Sequence, residues 1–519
     1  MPDRIIGGFD ALLAAVVIGF ALRSYFAKPK LPRGVRLPPG PAPLPFLGNV
    51  LAIDVSTPWV TYKTWGNQYG DLIYTRLFGQ DNIIINSEEI ARELLENRSH
   101  NYSDRPELAT SELFGVDWTT AFMRYSSRWR IQRKIIQQSF RQDVVPEFRP
   151  IQVAKSHELL LNMLEDPSNY PKHLDVLAGS VIMSTVYSYE AARHDDDMIE
   201  RATHALELSM KEMRPEVVAV FCAFPSLLRL PSWLPGMHLK RVAPLIKRLM
   251  RESLEFPFAF TERGLATGSV SSCMVVDHLQ KLDESNTDIT SQKEALKESA
   301  ATVFGAGTET TAAVLMNFIL VMILYPDIQE KAQKLIENVV GSKRLPTFQD
   351  RPSLSYIDAI LRECQRWRPV FPLAIMHATV DSDIYNGFYI PKGATITPNI
   401  WAMCHNEAKY PNPDEFNPDR FLNADGTLTD DAVSFVWGFG RRICPGRFLA
   451  EVSLWSAAVG LLSVFKFEKA KDENGREIEV IPGWHGGLSV RPNRFPCSIT
   501  PRDASMDVSA LQHLIRVSV

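Results

Sequence analysis

The stretch FVWGFGRRICPGRFLAEVSLW, residues 435–455, sets a single cysteine among arginines and a Pro-Gly pair, then runs into an apolar segment with helical spacing. A thiol becomes a ligand or a nucleophile as the thiolate, and positive surroundings favour that form. Arg441, Arg442 and Arg447 surround Cys444 with positive charge. Pro445 suits the first position of a helix, where its missing N–H would be unpaired anyway. The spacing therefore predicts a helix over 445–465, whose dipole and first N–H groups, from Gly446 on, favour an anion at Cys444. Gly438, Gly440 and Gly446 permit tight turns and close approach to something flat and bulky. Two uses of such a sulfur compete, a nucleophile and a metal thiolate. A nucleophilic cysteine wants a histidine base, and none lies nearby in sequence. Spacing alone does not choose between them.

The chain around this stretch has 519 residues, 45% hydrophobic and 22% charged, with a net charge of −4. That is ordinary globular composition, and nothing in it points to nucleic acid. The six cysteines include no C-x-x-C pair, so neither a zinc site nor a disulfide framework is expected. The sequons at Asn97 and Asn101 carry meaning only for a segment that enters the secretory lumen. Residues 5–22, IIGGFDALLAAVVIGFAL, hold one charge, Asp10, close to the length that spans a bilayer. Arg23, Lys28, Lys30, Arg33 and Arg36 follow, which places the body on the cytosolic side. A cleaved targeting segment is the alternative. Leu37–Asn49, LPPGPAPLPFLGN, has five prolines in eight residues and predicts stiff extended backbone, a spacer or a plain linker. The chain is read as an anchor over 1–26, a basic and proline-rich hinge over 27–50, one body over 51–500 and a tail over 501–519.

Helical spacing of apolar residues recurs at 87–95, 129–140, 153–165, 202–213, 293–324, 326–340 and 354–367. Strand-like pieces are fewer: 72–77, 82–86, 384–390 and 395–399. Asn386-Gly387 reads as a hairpin turn and 391–393 as a second turn. The fold class is mainly α with small β-sheets.

Residues 437–446, WGFGRRICPG, resemble the haem-binding signature of the cytochrome P450 superfamily at its glycine, arginine, cysteine and final glycine positions, with Trp437 where phenylalanine is usual. The resemblance implies that Cys444 is the axial thiolate of a haem iron. It extends over about residues 30–500, with the other landmarks in family order. In AGTETT, residues 306–311, it assigns Ala306 and Gly307 to a helix kink beside the haem. It gives Glu309 and Thr310 the roles of the acid–alcohol pair that relays protons to oxygen. The plain alternative is a polar helix face. In LRECQRWRP, residues 361–369, Glu363 and Arg366 are i, i+3 neighbours. The family joins them to the arginine of FNPDRF, here Arg420, in a buried cluster that supports the cysteine loop. In SRWRIQRK, residues 127–134, Trp129 and Arg133 share a helix face. The resemblance sends both to a haem propionate, with Arg442 and His377 as further contacts. For His377 the alternative is a surface histidine.

The fold so implied is the triangular P450 body, with haem b between the central helix and the helix after the cysteine loop. The implied reaction is monooxygenation of a lipophilic small molecule with O2. No flavin or nicotinamide fingerprint is present, so electrons are expected from NADPH through an external reductase; the basic residues 130–134 and 441–447 are its docking face, or solvated charge and haem contacts. Pocket segments map to 108–122, 213–239, 300–308, 370–375 and 484–488, and they read apolar. Trp233 and its neighbours dip into the membrane, or pack in a core. The style resembles microsomal filamentous-fungal members of secondary metabolism, which implies a terpenoid or polyketide-like aromatic substrate and an endoplasmic-reticulum anchor. The rivals are a haem-thiolate isomerase or dehydratase that uses no external O2, a non-catalytic haem protein and a colourless cysteine hydrolase. The intact Glu309–Thr310 pair argues against the first.

Overall fold

The computed structural model describes residues 31–213, 215–282 and 289–518, and the segment expected to anchor the chain lies outside them. Helices of ten residues or more are α1 (Pro58–Tyr69), α2 (Ser127–Ser139), α3 (Arg149–Glu165), α4 (Tyr170–Tyr187), α5 (Asp197–Glu212), α6 (His238–Thr267), α7 (Ile289–Leu324), α8 (Pro326–Val340), α9 (Ser355–Trp367), α10 (Arg447–Val464) and α11 (Val508–Val517). The strands are β1 (Leu72–Leu77), β2 (Gln80–Ile85), β3 (His377–Ala378), β4 (Asp383–Tyr385), β5 (Phe388–Ile390), β6 (Thr395–Pro398), β7 (Phe465–Lys469), β8 (Trp484–Gly486), β9 (Val490–Pro492) and β10 (Cys497–Pro501).

The architecture is built around α7, which packs against α4, α2, α6, α9 and α10. An unbroken buried run from Thr311 to Ile323 makes it the axis of the core. Both α7 and α10 are apolar and long enough to cross a bilayer, but 78% and 72% of their apolar windows are buried inside the body. They are core helices. The largest sheet has the order β1-β2-β6-β3. β1 and β2 are antiparallel, whereas β2 runs parallel to β6 with Ile84 opposite Thr397. β4 and β5 form the expected hairpin. Asn386 and Gly387 both have positive φ, 49° and 78°, as a two-residue primed turn requires.

Four of the helices, α1, α4, α6 and α11, lie outside the segments that helical spacing predicts, and for two of them the reason is physical. α4 is buried on nearly every side from Leu177 to Tyr187, so no polar stripe marks it. α6 carries Pro244 and Pro257 in its interior, residues that ordinarily end a helix. It continues because tertiary contacts support it. The Thr261 hydroxyl donates to the Tyr187 carbonyl at 2.8 Å, and Ile246, Met250, Leu254 and Phe258 are buried. α10 also differs from expectation. It begins at Arg447 with Gly446 as its cap, so Pro445 lies in the preceding turn.

The described part of the proline-rich hinge is docked on the body. Tyr74 N–H donates to the Pro39 carbonyl at 3.1 Å, and Asn49 donates to Pro41 at 3.0 Å. Its chain runs so close to β1 that a Cβ on Gly40 would sit 2.0 Å from the Tyr74 oxygen. At the other end, α11 packs on α3, and its Leu511 is fully buried in the main core.

Candidate active site

Cys444 stands at the end of a loop held at both sides. Its N–H donates to the Trp437 carbonyl at 2.7 Å, and its own carbonyl accepts from Arg447 at 3.0 Å. The adjacent Ile443 carbonyl accepts from Arg133 at 2.5 Å. Gly438 has φ +85°, a conformation that suits glycine. Gly440 is required for a second reason: a Cβ there would lie 2.1 Å from the Leu95 carbonyl. At Gly446, by contrast, a Cβ would meet nothing within 4 Å. The loop is tight where it touches the body and open beside the sulfur.

The Gly446 N–H points at the Cys444 sulfur, as the helix-start geometry predicts. The charge argument needs correction. Burial pushes the Cys444 thiol up, and the pull of Gly446, Arg133 and Arg447 does not reverse it. The residue is partly accessible to solvent, yet protein packs around the sulfur densely enough that desolvation dominates. Arg441 turns to the Tyr125 hydroxyl at 2.9 Å, and Arg442 turns inward. No histidine side chain is among the partners of Cys444 in the described residues. Without a base beside it, the thiol is poorly placed to act as a nucleophile. The same sulfur is suited to a metal cation, which supplies the charge that the arginines leave wanting.

Beside the loop lies a buried cluster of cations. Arg442 donates to the carbonyls of Ser103 at 2.8 Å, Met123 at 2.9 Å and Thr120 at 3.4 Å, with its guanidinium 4.2 Å from the Trp129 ring centroid. Arg105, which sequence reasoning missed, donates to the carbonyls of Ala121, Ile375 and Met376. His377 is buried, not a surface histidine, and its Nδ1 bonds the Tyr102 carbonyl at 2.7 Å. Burial and the neighbouring Arg105 and Arg442 hold its pKa well below the ordinary value, so it is neutral. Burial pulls Arg133 down to about 10 and Arg442 down to about 9, with Arg447 and Arg133 respectively adding repulsion. Among the described residues no carboxylate ion-pairs with Arg105, Arg133 or Arg442. The nearby Asp104 is taken by Arg124 at 2.8 Å. Buried charge of one sign is costly without a partner, so the cluster fits an anionic ligand with carboxylates. Together with the open space at Gly446, it passes the test for a flat dicarboxylate cofactor whose metal meets Cys444.

Glu363 and Arg366 are both fully buried and joined bidentately, at 2.6 and 2.8 Å. Arg420 reaches Glu363 at 3.3 Å, so the structure brings all three together. Arg366 also donates to the carbonyls of Cys404 and Pro413, and the Asn417 N–H donates to Glu363 at 2.8 Å. Arg362, one turn back on α9, binds the carbonyls of Thr429 and Asp431. These bonds stitch residues 404–431 to α9 just ahead of the cysteine loop.

On α7, Ala306 is exposed although the rest of 295–324 is buried or half-buried, so it borders open space. The helix runs through 306–310 without a break. The Thr310 hydroxyl donates to the Ala306 carbonyl at 2.9 Å, a back-bond that bends helices. Gly307 answers to packing: a Cβ there would lie 2.8 Å from Cδ1 of Ile182 on α4. Glu309 does not bond Thr310. Its Oε1 accepts from the Ser489 hydroxyl at 2.6 Å.

The cytochrome P450 family model matches residues 38–495. Curated relatives cover nearly the whole chain. It is 36% identical over 499 residues to "Cytochrome P450 monooxygenase COX1" of Coprinopsis cinerea, covering 94% of this chain and 96% of the relative. It is 35% identical over 479 residues to "Cytochrome P450 monooxygenase claR" of Ampulloclitocybe clavipes, covering 91% and 87%. It is 35% identical over 507 residues to "Cytochrome P450 monooxygenase ple1" of Rhodocybe pseudopiperita, covering 97% and 96%. A lone cysteine without a base beside it, a guanidinium cluster without an ion-paired carboxylate among the described residues and a matched length of this extent lead to one assignment: the chain belongs to the cytochrome P450 family and is a haem-thiolate monooxygenase.

Proposed function

We propose that the chain oxygenates a lipophilic small molecule, by hydroxylation or epoxidation, in fungal secondary metabolism, with a terpenoid or polycyclic aromatic as the substrate class. The observation that carries this reading is the cation cluster without a carboxylate beside Cys444. Arg105, Arg133 and Arg442, with Trp129 and His377, would hold the carboxylates of haem b. Trp437 and Gly446 would flank the ring, and Cys444 would ligate the iron. Bound haem supplies activation of O2. The chain's own part is to position and to supply protons. Ala306 leaves room on α7, Thr310 presents a hydroxyl there, and Glu309 holds an acid one residue before it. Glu363, Arg366 and Arg420 keep the cysteine loop in place.

Apolar side chains support the substrate class. Phe114, Val116, Ala205, Phe221 and Met237 form a separate buried cluster with α6, and Trp233 is 72% exposed on the adjoining loop. Lipophilic material enters there from a membrane that the first 26 residues anchor, at the endoplasmic reticulum. Electrons come from NADPH through a separate flavin reductase. Arg130, Lys134 and Arg441 are exposed beside the cysteine loop and offer it a basic face.

The test is a reduced, carbon-monoxide spectrum of the purified chain. A Soret band at the thiolate position is expected, lost in Cys444→Ala. Reductase-coupled membranes are then given terpenes, polyketides and simple aromatics, and products are read as a gain of one oxygen in mass. A colourless wild-type protein overturns the assignment. Haem without NADPH-dependent product from any class leaves the non-catalytic alternative standing.

A further inference from the structure

The Glu309 carboxylate is fixed by an element far away in sequence. Ser489 lies at the tip between β8 and β9, is 5% exposed, and donates its hydroxyl to Glu309 Oε1 at 2.6 Å. That distance belongs to hydrogen bonds with a charged partner. The tip itself is rigidly tied. Trp484 donates to Asn317 on α7 at 3.1 Å, and Arg491 pairs with Asp175 on α4 at 2.7 Å. The Val490 N–H donates to the Val370 carbonyl at 2.8 Å. Gly486, with φ +144°, lets the turn fold so tightly that a Cβ there would sit 1.9 Å from the Ser489 carbonyl. Three tethers and one tight turn thus deliver one hydroxyl to one carboxylate. Meanwhile Thr310 is satisfied by Ala306, so acid and alcohol are each held by another group.

We propose that Ser489 is a positioning residue for proton delivery: its hydroxyl sets where the Glu309 carboxylate stands relative to Thr310. This rests on the roles given above to Glu309 and Thr310. Without the hydroxyl, the carboxylate turns freely into solvent-accessible rotamers, and the proton path through Glu309 loses its geometry.

The test uses the haem-loaded full chain with a flavoprotein reductase and no added substrate. The reaction followed is NADPH + H⁺ + O2 → NADP⁺ + H2O2, which consumes one proton per peroxide. Loss of one hydrogen bond to a charged group predicts a fall of about ten-fold in NADPH oxidation for Ser489→Ala. Ser489→Thr keeps the hydroxyl and restores the rate. Glu309→Gln falls as far, and the double variant Ser489→Ala/Glu309→Gln falls no further than either single one. A second readout needs no turnover: hydrogen–deuterium exchange of the amides at 486–490. Ser489→Ala exchanges faster there, whereas Glu309→Gln, which still accepts the bond, exchanges as wild type does. An unchanged rate in Ser489→Ala, or losses that add in the double variant, overturns the proposal alone. A wild-type chain that loads no haem overturns the assignment beneath it as well.

Discussion

Arg105 shows what a single buried charge demands. Its guanidinium is spent on three carbonyls, and the charges closest to it include Arg133 and Arg442. An anion docking here gains charge-assisted bonds worth about 1.5–3 kcal/mol each. Arg105→Leu is therefore expected to release haem about ten-fold faster, read as transfer of colour to an excess of a haem-free globin. Arg105 was not legible in the sequence because no spacing rule singles out an arginine before Pro106. Arg133 entered only through the family resemblance, because its spacing to Trp129 alone reads equally well as a basic amphipathic face. His405 makes a different prediction. It stacks on Trp401 with centroids 3.7 Å apart, and burial and then Arg366 push it from 6.5 down to about 3. The folded state keeps it neutral while the unfolded chain takes up a proton below 6.5. Its contribution is therefore intact above that value and drains away as pH falls toward about 3. Urea midpoints between about pH 7 and about pH 4 should decline less steeply in His405→Phe.

At the scale of elements, close contacts decide what a substitution costs. On α7, Gly307→Ala gains about 1 kcal/mol of helix propensity. It also forces the new methyl against Ile182, and overpacking costs about 1–3 kcal/mol. The net effect expected is a small loss of stability, measured by thermal unfolding of the variant against the wild-type chain. At α9, Glu363→Gln breaks a fully buried pair. Removing one partner of such a pair costs about 3–5 kcal/mol, so the variant should accumulate without haem, as absorbance per mole of protein would show. Elements with one apolar face and a clear stop, such as α8 between Pro326 and Gly341, could be read from sequence to the residue. α4 could not, because burial on all sides erases the pattern. α6 could not, because Pro244 and Pro257 mimic boundaries. The Ser489–Glu309 bond joins positions 180 residues apart, and no local pattern encodes it.

For the whole molecule, the most informative part is the end. Residues 501–519 carry no recognisable motif, yet Leu511 lies fully buried in the main core, and the Leu345 N–H donates to Ser518 at 2.7 Å. Leu511→Ala should cost about 2–5 kcal/mol, visible in denaturant midpoints, although the residue is far from the cysteine loop in sequence. A further consequence concerns truncation. Cutting the chain before Val508 would strip a buried side chain from the central packing. A shortened body is therefore expected to unfold more easily, rather than merely to lose an ornament.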